Sequence, residues 1–265
     1  MPQSFRPGQW ALITGASSGF GRDFATLLAE QRVNLILTAR RTEVMEADAK
    51  SLMQEHGIQV HVLPADLSRS EAREDLFRAI TALGAQVDIL INNAGFGVFG
   101  PYAETEWSRL DQMLQLDIVA LSHLSSLVLP GMRARSEGYI LQVASVGAYQ
   151  ATPGYAAYSA AKAYVLLMGE ALNRELKGTG VRVTVLSPGV TATEFLQVSG
   201  QQPTLYQKLF MMKSRPVARL GLQALLRGKM SVVPGILNNV MVQLLRLTPR
   251  FLQANIAGLL MRNRS

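Results

Sequence analysis

The chain contains no cysteine. That excludes disulfides, thiolate nucleophiles and Cys-ligated metals, and it removes any argument for an oxidising compartment. Histidine is scarce too. His56, His61 and His123 do not cluster, so no metal site is expected. Charge is sparse at 17% of 265 residues, while 48% are hydrophobic, enough to fill one large core. The opening MPQSFRPGQW has no apolar run behind a basic start, so no signal peptide is read there and a cytoplasmic location is expected. No Asp or Glu follows Glu194. The stretch from Phe195 onward holds ten Lys and Arg and carries +10, whereas the preceding part, with sixteen basic and nineteen acidic residues, carries −3. Linkers and internal repeats are missing as well, which points to a single domain over residues 1–265.

What is present is rhythm. The short apolar runs WALIT (10–14), NLILTA (34–39), VHVLPAD (60–66), DILINNAG (88–95), YILQVAS (139–145) and VRVTVLSPG (181–189) alternate with amphipathic stretches of helical length. Strands apolar on both faces, alternating with helices, predict an α/β fold: a doubly wound, Rossmann-type parallel sheet of about seven strands, covered on both sides. MSVVPG (230–235) reads as the last strand. Leu237 to Met261 is rich in Leu, Met and Arg, but Arg246, Pro249 and Arg250 interrupt it before it reaches the roughly 20 apolar residues of a membrane span. The chain thus divides into a cofactor and catalytic core (8–190), a substrate lid with the last strand (191–235) and a basic apolar extension (236–265).

TGASSGFG (14–21) lies between the first strand and the first helix. Gly15, Gly19 and Gly21 let the backbone turn sharply and approach a pyrophosphate. Ser17, Ser18 and Phe20 bring the loop to the helix N-terminus, whose unpaired N–H groups attract anions. NAD enzymes usually place an acid at the end of the second strand. Here stand Ala39, Arg40 and Arg41, and Arg suits a phosphate, so NADP(H) is favoured over NAD(H). The two arginines also read as solvated residues at a helix start. Asp66 is placed either to bind the adenine amino group or to cap the turn in DLSRSE.

Three tyrosines crowd GYAAYSAAKAY (154–164), and only Tyr158 has a lysine, Lys162, four residues on. That spacing puts both on one helix face. A phenol near pKa 10 needs help to exchange protons at neutral pH, and an ammonium favours the phenolate. Tyr158 is therefore the expected acid/base, with Tyr155 and Tyr164 packing or lining the pocket. Ser145 ends the fifth strand, where doubly wound sheets bind ligands, and can donate to the substrate oxygen.

Thr14-Gly15-x3-Gly19-x-Gly21, Asn92-Asn93-Ala94-Gly95, Ser145, Tyr158-x3-Lys162 and Pro188-Gly189 together resemble the short-chain dehydrogenase/reductase family, in its compact one-domain branch, over residues 8 to about 195. The resemblance implies hydride transfer between nicotinamide and a carbonyl carbon, with Tyr158 moving the proton and Lys162 also holding the nicotinamide ribose. It implies that Asn92, Ala94 and Gly95 lie beside the adenine ribose, and that Pro188, Gly189, Val190 and Thr193 frame the nicotinamide. It implies homodimers or homotetramers. The family usually has an asparagine, holding a water on the proton path, where this chain has Asp117. Asp117 either holds the same water, pairs with Lys162 and weakens the relay, or stays protonated by burial.

Met211, Met212, Met230, Met241 and Met261 lie in the last 71 residues and suit an apolar, variable pocket. The expected reaction interconverts a ketone and a secondary alcohol on a bulky apolar molecule, acyl-, steroid- or polyketide-like. The basic residues attract an acidic carrier, touch anionic lipid weakly, or form an ordinary solvated face. No motif supports nucleic-acid binding. The competing reading is a non-catalytic NADP(H)-binding sensor or scaffold.

Overall fold

The computed structural model describes residues 4–261. Seven strands form one parallel sheet in the order β3-β2-β1-β4-β5-β6-β7: β1 (Trp10–Thr14), β2 (Asn34–Thr38), β3 (Val60–Val62), β4 (Val87–Asn92), β5 (Gly138–Val143), β6 (Val181–Leu186) and β7 (Ser231–Val232). The order reverses between β1 and β4. That reversal opens a crevice beyond the carboxyl ends of the strands, and every expected site loop leaves from such an end.

Side-chain alternation along each strand feeds two cores. Ile13, Leu35, Ile89 and Leu141 pack with helices α1 (Gly19–Ala29), α2 (Thr42–His56) and α9 (Ser214–Leu226) on one face. Leu12, Ile36, Leu90 and Ile140 pack on the other face, against α3 (Ser70–Ala82) and α5 (Leu121–Ala134). The shorter α4 (Trp107–Leu114) runs into α5 through a π-helical turn at Gln115–Ala120, and the third neighbour on that side is α6 (Ala156–Glu175). The continuous helix Trp107–Ala134 is long and apolar enough to cross a membrane. Here it is a core helix, since Leu121, Leu124 and Val128 bury against the sheet domain.

Strands are shorter than the sequence runs suggest. β3 ends at Val62, although Leu63 and Ala65 still donate to Leu37 and Ala39; Pro64 between them lies on the edge strand with its missing N–H on the side away from β2. The expected lid segment 191–235 divides. Helices α7 (Phe195–Ser199) and α8 (Leu205–Phe210) lie outside the layers, but α9 is a layer helix whose Val217, Ala218 and Leu225 are fully buried. The extension forms two more helices, α10 (Ile236–Leu245) and α11 (Arg250–Met261).

Candidate active site

The strand ends surround one cavity of about 480 Å³, within the range of small-molecule sites. Its floor is the loop after β1. Gly15 adopts φ +65°, a conformation that favours glycine. A Cβ on Gly21 would sit 2.1 Å from the Gly15 carbonyl, so only glycine lets α1 start this close to β1. Gly21 therefore acts through packing and does not line the cavity, whereas Gly15, Ser17, Ser18, Gly19 and Phe20 do. Ser18, the N-cap of α1, makes no side-chain capping bond, which leaves the helix start available to an anion. Glycine cradle and uncapped helix start together fit a dinucleotide pyrophosphate.

Arg40 and Arg41 both face this cavity. Arg41 is held over the loop: its guanidinium donates to Ser17 Oγ at 3.3 Å and to the Ser17 carbonyl at 3.1 Å. The same fork pairs with Glu194 at 3.0 Å. Asp66 lines the cavity but also accepts from the Ser68 N–H and hydroxyl, so it serves the turn. Ala94 and Gly95 line the cavity, as do Pro188, Gly189, Val190 and Thr193.

Asn92 departs from expectation. It is the last residue of β4, and alternation turns its side chain away from the crevice into the core. There Nδ2 donates to the Leu121 carbonyl, Ser125 Oγ and Gln142 Oε1. Its neighbour Asn93 faces the cavity instead and donates to the Thr14 carbonyl. The strand's two-residue period was the signal that separates them.

At the other end of the cavity stand Ser145, Tyr158 and Lys162. Ser145 caps the 3₁₀ turn Val146–Tyr149 by accepting from the Gly147 N–H at 3.1 Å, which fixes its hydroxyl at the end of β5. Lys162 Nζ lies 5.6 Å from the centre of the Tyr158 ring and donates to the Val143 carbonyl at 3.2 Å. Its ion partner is Asp117, with Nζ to Oδ2 3.0 Å and both side chains buried. Asp117 sits behind the cavity wall in the π turn, and its Oδ1 accepts from the Phe96 N–H at 3.0 Å. A Cβ on Gly95 would meet that same Oδ1 at 2.8 Å, so the loop after β4 closes onto the carboxyl only through a glycine. Of the three readings of Asp117, the geometry is that of the ion pair.

The electrostatics reverse one expectation. Lys162 was to lower the Tyr158 phenol; instead, burial pushes it well above the usual tyrosine range, the Asp117 charge adds to this, and the Ser145 hydroxyl opposes it. Burial likewise raises the Asp117 carboxyl, against the pull of Lys162 and the Phe96 N–H. The physical reason is that the fold buries the phenol and that a second helix delivers a carboxylate to the ammonium, neither of which sequence spacing along α6 shows.

Tyr155 and Tyr164 have other tasks. The Tyr155 hydroxyl bonds Ser199 Oγ and Gln201 Oε1, each at 2.9 Å, and burial pushes its phenol up to about 12. Its ring stacks among Phe99, Tyr158 and Phe195. Tyr164 points outward and meets Ser122 on α5. Met241 and Met261, already read as suiting an apolar pocket, line the far wall; sequence reasoning missed Phe195, Leu196, Ala257 and Leu260 beside them on α7 and α11. Their spacing marks them as apolar helix residues without saying what they face.

The family model for short chain dehydrogenases matches residues 9–204. The chain belongs to that family. It is 31% identical over 202 residues to a very-long-chain 3-oxoacyl-CoA reductase of Anas platyrhynchos, covering 72% of this chain and 62% of that protein. Among solved structures it resembles a short-chain dehydrogenase from Sphingobium yanoikuyae in complex with NADPH (TM-score 0.81, 28% identity, 91% of this chain and 97% of that one). It also resembles the bulky-bulky-ketone-specific alcohol dehydrogenase of Comamonas testosteroni (TM-score 0.76, 26% identity, 91% and 95%). This short-chain dehydrogenase is an NAD(P)-dependent oxidoreductase acting on CH–OH and C=O groups.

Proposed function

We propose that the chain is an NADP(H)-dependent ketone reductase and secondary-alcohol dehydrogenase for bulky apolar substrates. The observation that carries this is the meeting of Ser145, Tyr158 and Lys162 at one end of the cavity whose other end is the glycine loop and Arg41. Gly15, Ser17, Ser18, Gly19 and Phe20 hold the pyrophosphate, Arg41 with Arg40 the 2′-phosphate, and Pro188 to Thr193 the nicotinamide end. When bound there, the nicotinamide supplies or takes up the hydride.

Ser145 donates a hydrogen bond to the substrate oxygen and orients it toward Tyr158. In reduction, the Tyr158 phenol gives its proton to that oxygen as negative charge builds there. A phenol held above its usual pKa is reliably protonated for this step. In oxidation Tyr158 must first lose its proton, and Lys162 is the cation that steadies the resulting phenolate. Asp117 draws the same cation away, so the arrangement favours reduction. Phe195, Leu196, Met241 and Leu260 present apolar surface to the rest of the substrate. The names of the relatives, a long-chain oxoacyl reductase and a bulky-ketone dehydrogenase, agree with a large apolar substrate.

The test is a fluorescence titration of the purified protein with NADPH and with NADH. NADPH should bind tighter by about tenfold, 1.4 kcal/mol, and Arg41→Ala should erase the difference while leaving NADH binding unchanged. Equal binding, or a preference for NADH, means that Arg41 serves Glu194 and Ser17 alone and overturns the cofactor assignment.

A further inference from the structure

The C-terminal helices line the cavity with one face, and no described residue covers the other. In α10, Asn238 and Val242 are buried while Ile236, Val240 and Leu244 stand one turn apart on the outer side, and Leu247 follows in the next turn. Ile236 is 84% exposed and Leu247 85%. In α11, Ala257 is buried while Phe251, Ile256 and Leu259 face outward, Phe251 and Leu259 each at 71%. Large apolar side chains exposed together on one side of a helix pair mark something that covers them. The junction between the two helices is fixed, because Gln253 Nε2 donates to the carbonyls of both Leu245 and Thr248 at 2.7 Å. Arg246 and Arg250 flank that junction, and no carboxylate occurs anywhere after Glu194.

We propose that α10, α11 and the turn between them dock on an anionic lipid surface, and that the site draws its apolar substrate from that lipid. Neither helix is long enough to span a bilayer, at 10 and 12 residues. An apolar outer face with arginines and no acids is the pattern of a helix lying in the interface, with its guanidiniums among anionic headgroups. A second copy of the chain fits less well. A twofold contact brings a surface against itself, so Arg246 and Arg250 would meet their own kind with no carboxylate in the segment to pair with. The inner faces supply the functional link. Met241, Ala257, Leu260 and Met261 form the cavity wall. This second half of the proposal rests on the reductase reading above; the docking itself does not.

The experiment is co-sedimentation of the full-length protein with phosphatidylcholine vesicles, with and without phosphatidylglycerol. Binding should be at least about tenfold tighter with phosphatidylglycerol and should weaken as salt is raised. The double substitution L247D/F251D should lose that binding by tenfold or more, and an unchanged NADPH titration serves as its folding check. Tyr158→Phe should abolish turnover and leave vesicle binding intact, which separates failure of the docking from failure of the reductase reading. Phosphatidylglycerol vesicles should also accelerate reduction of a long-chain, lipid-dissolved ketone by the wild type but not by L247D/F251D, with a water-soluble ketone unaffected. No binding to phosphatidylglycerol vesicles overturns the proposal. So does a double variant that stays on vesicles, or one that instead breaks a larger assembly into smaller ones, which would assign the surface to a second copy. Equal acceleration in both proteins overturns the lipid supply of substrate.

Discussion

The chain up to Glu194 and the chain after it build opposite walls of the same cavity by opposite means. The first wall is made of strand ends backed by α6. Gly15, Ala94, Ser145 and Pro188 each follow a buried strand and are positioned by a ladder of backbone hydrogen bonds. Tyr158 and Lys162 reach it from α6, Lys162 bonded to the Val143 carbonyl that ends β5. The second wall is made of helix faces, held by side-chain packing and a few isolated hydrogen bonds, with Gly258 against Pro153, Gln201 bonded to the Met261 carbonyl and the Phe99 N–H to the Ser199 carbonyl. A sheet edge fixes chemistry to a fraction of an ångström, which proton transfer requires. A packed helix face tolerates exchange of Leu for Met or Phe. Reaction and substrate choice are thus assigned to parts of the molecule with different tolerance.

Three measurements probe that division. Tyr158→Phe, on the strand-end side, should cut turnover by about 10²–10⁴-fold while NADPH affinity stays within error; surviving turnover would place the acid/base elsewhere. Met241→Phe, on the helix side, should lower kcat/KM for a bulky ketone by roughly tenfold relative to a small one, with no change in NADPH binding. A parallel loss of cofactor affinity would show that the two walls are mechanically one. The smallest effect is expected from Asp117→Asn. Its charge raises the Tyr158 phenol, and removing that charge lets the phenolate form at lower pH. The rising limb of the pH profile for alcohol oxidation should therefore move down by about one unit, whereas reduction at neutral pH changes little. A limb that stays put means the carboxyl is already neutral in the working enzyme.

The strand-end wall was legible in the sequence because its information is local. Apolar runs, the glycine spacing and the four-residue step from Tyr158 to Lys162 each state a geometry within one element, and the structure brings Gly15, Gly19, Tyr158 and Lys162 to one cavity, with Gly21 packed behind it. Where legibility failed, the missing information was non-local. Asn92 and Asn93 are adjacent, and which of them faces the crevice depends on where β4 ends. The Tyr158 phenol is raised first because the fold buries it and then because Asp117 arrives from another helix. The helix wall was only partly legible: the methionines hinted at an apolar pocket, but Leu196 and Leu260 look like any apolar residue of an amphipathic helix until the cavity behind them is seen.

The π-helical turn at Gln115–Ala120 has a consequence for the shape of the whole helix that carries it. Such a turn holds one residue more than an α-helical turn, which amounts to a phase slip of about 100°. The stripe that α4 presents and the stripe that α5 presents are therefore out of step, although the chain between them never leaves the helix. Deleting one residue there would bring the two stripes back into phase, keep the helix unbroken, and swing Asp117 away from Lys162. A single-codon deletion would thus act as a rotary switch on the proton site, and it would change what α4 shows to solvent at the same stroke.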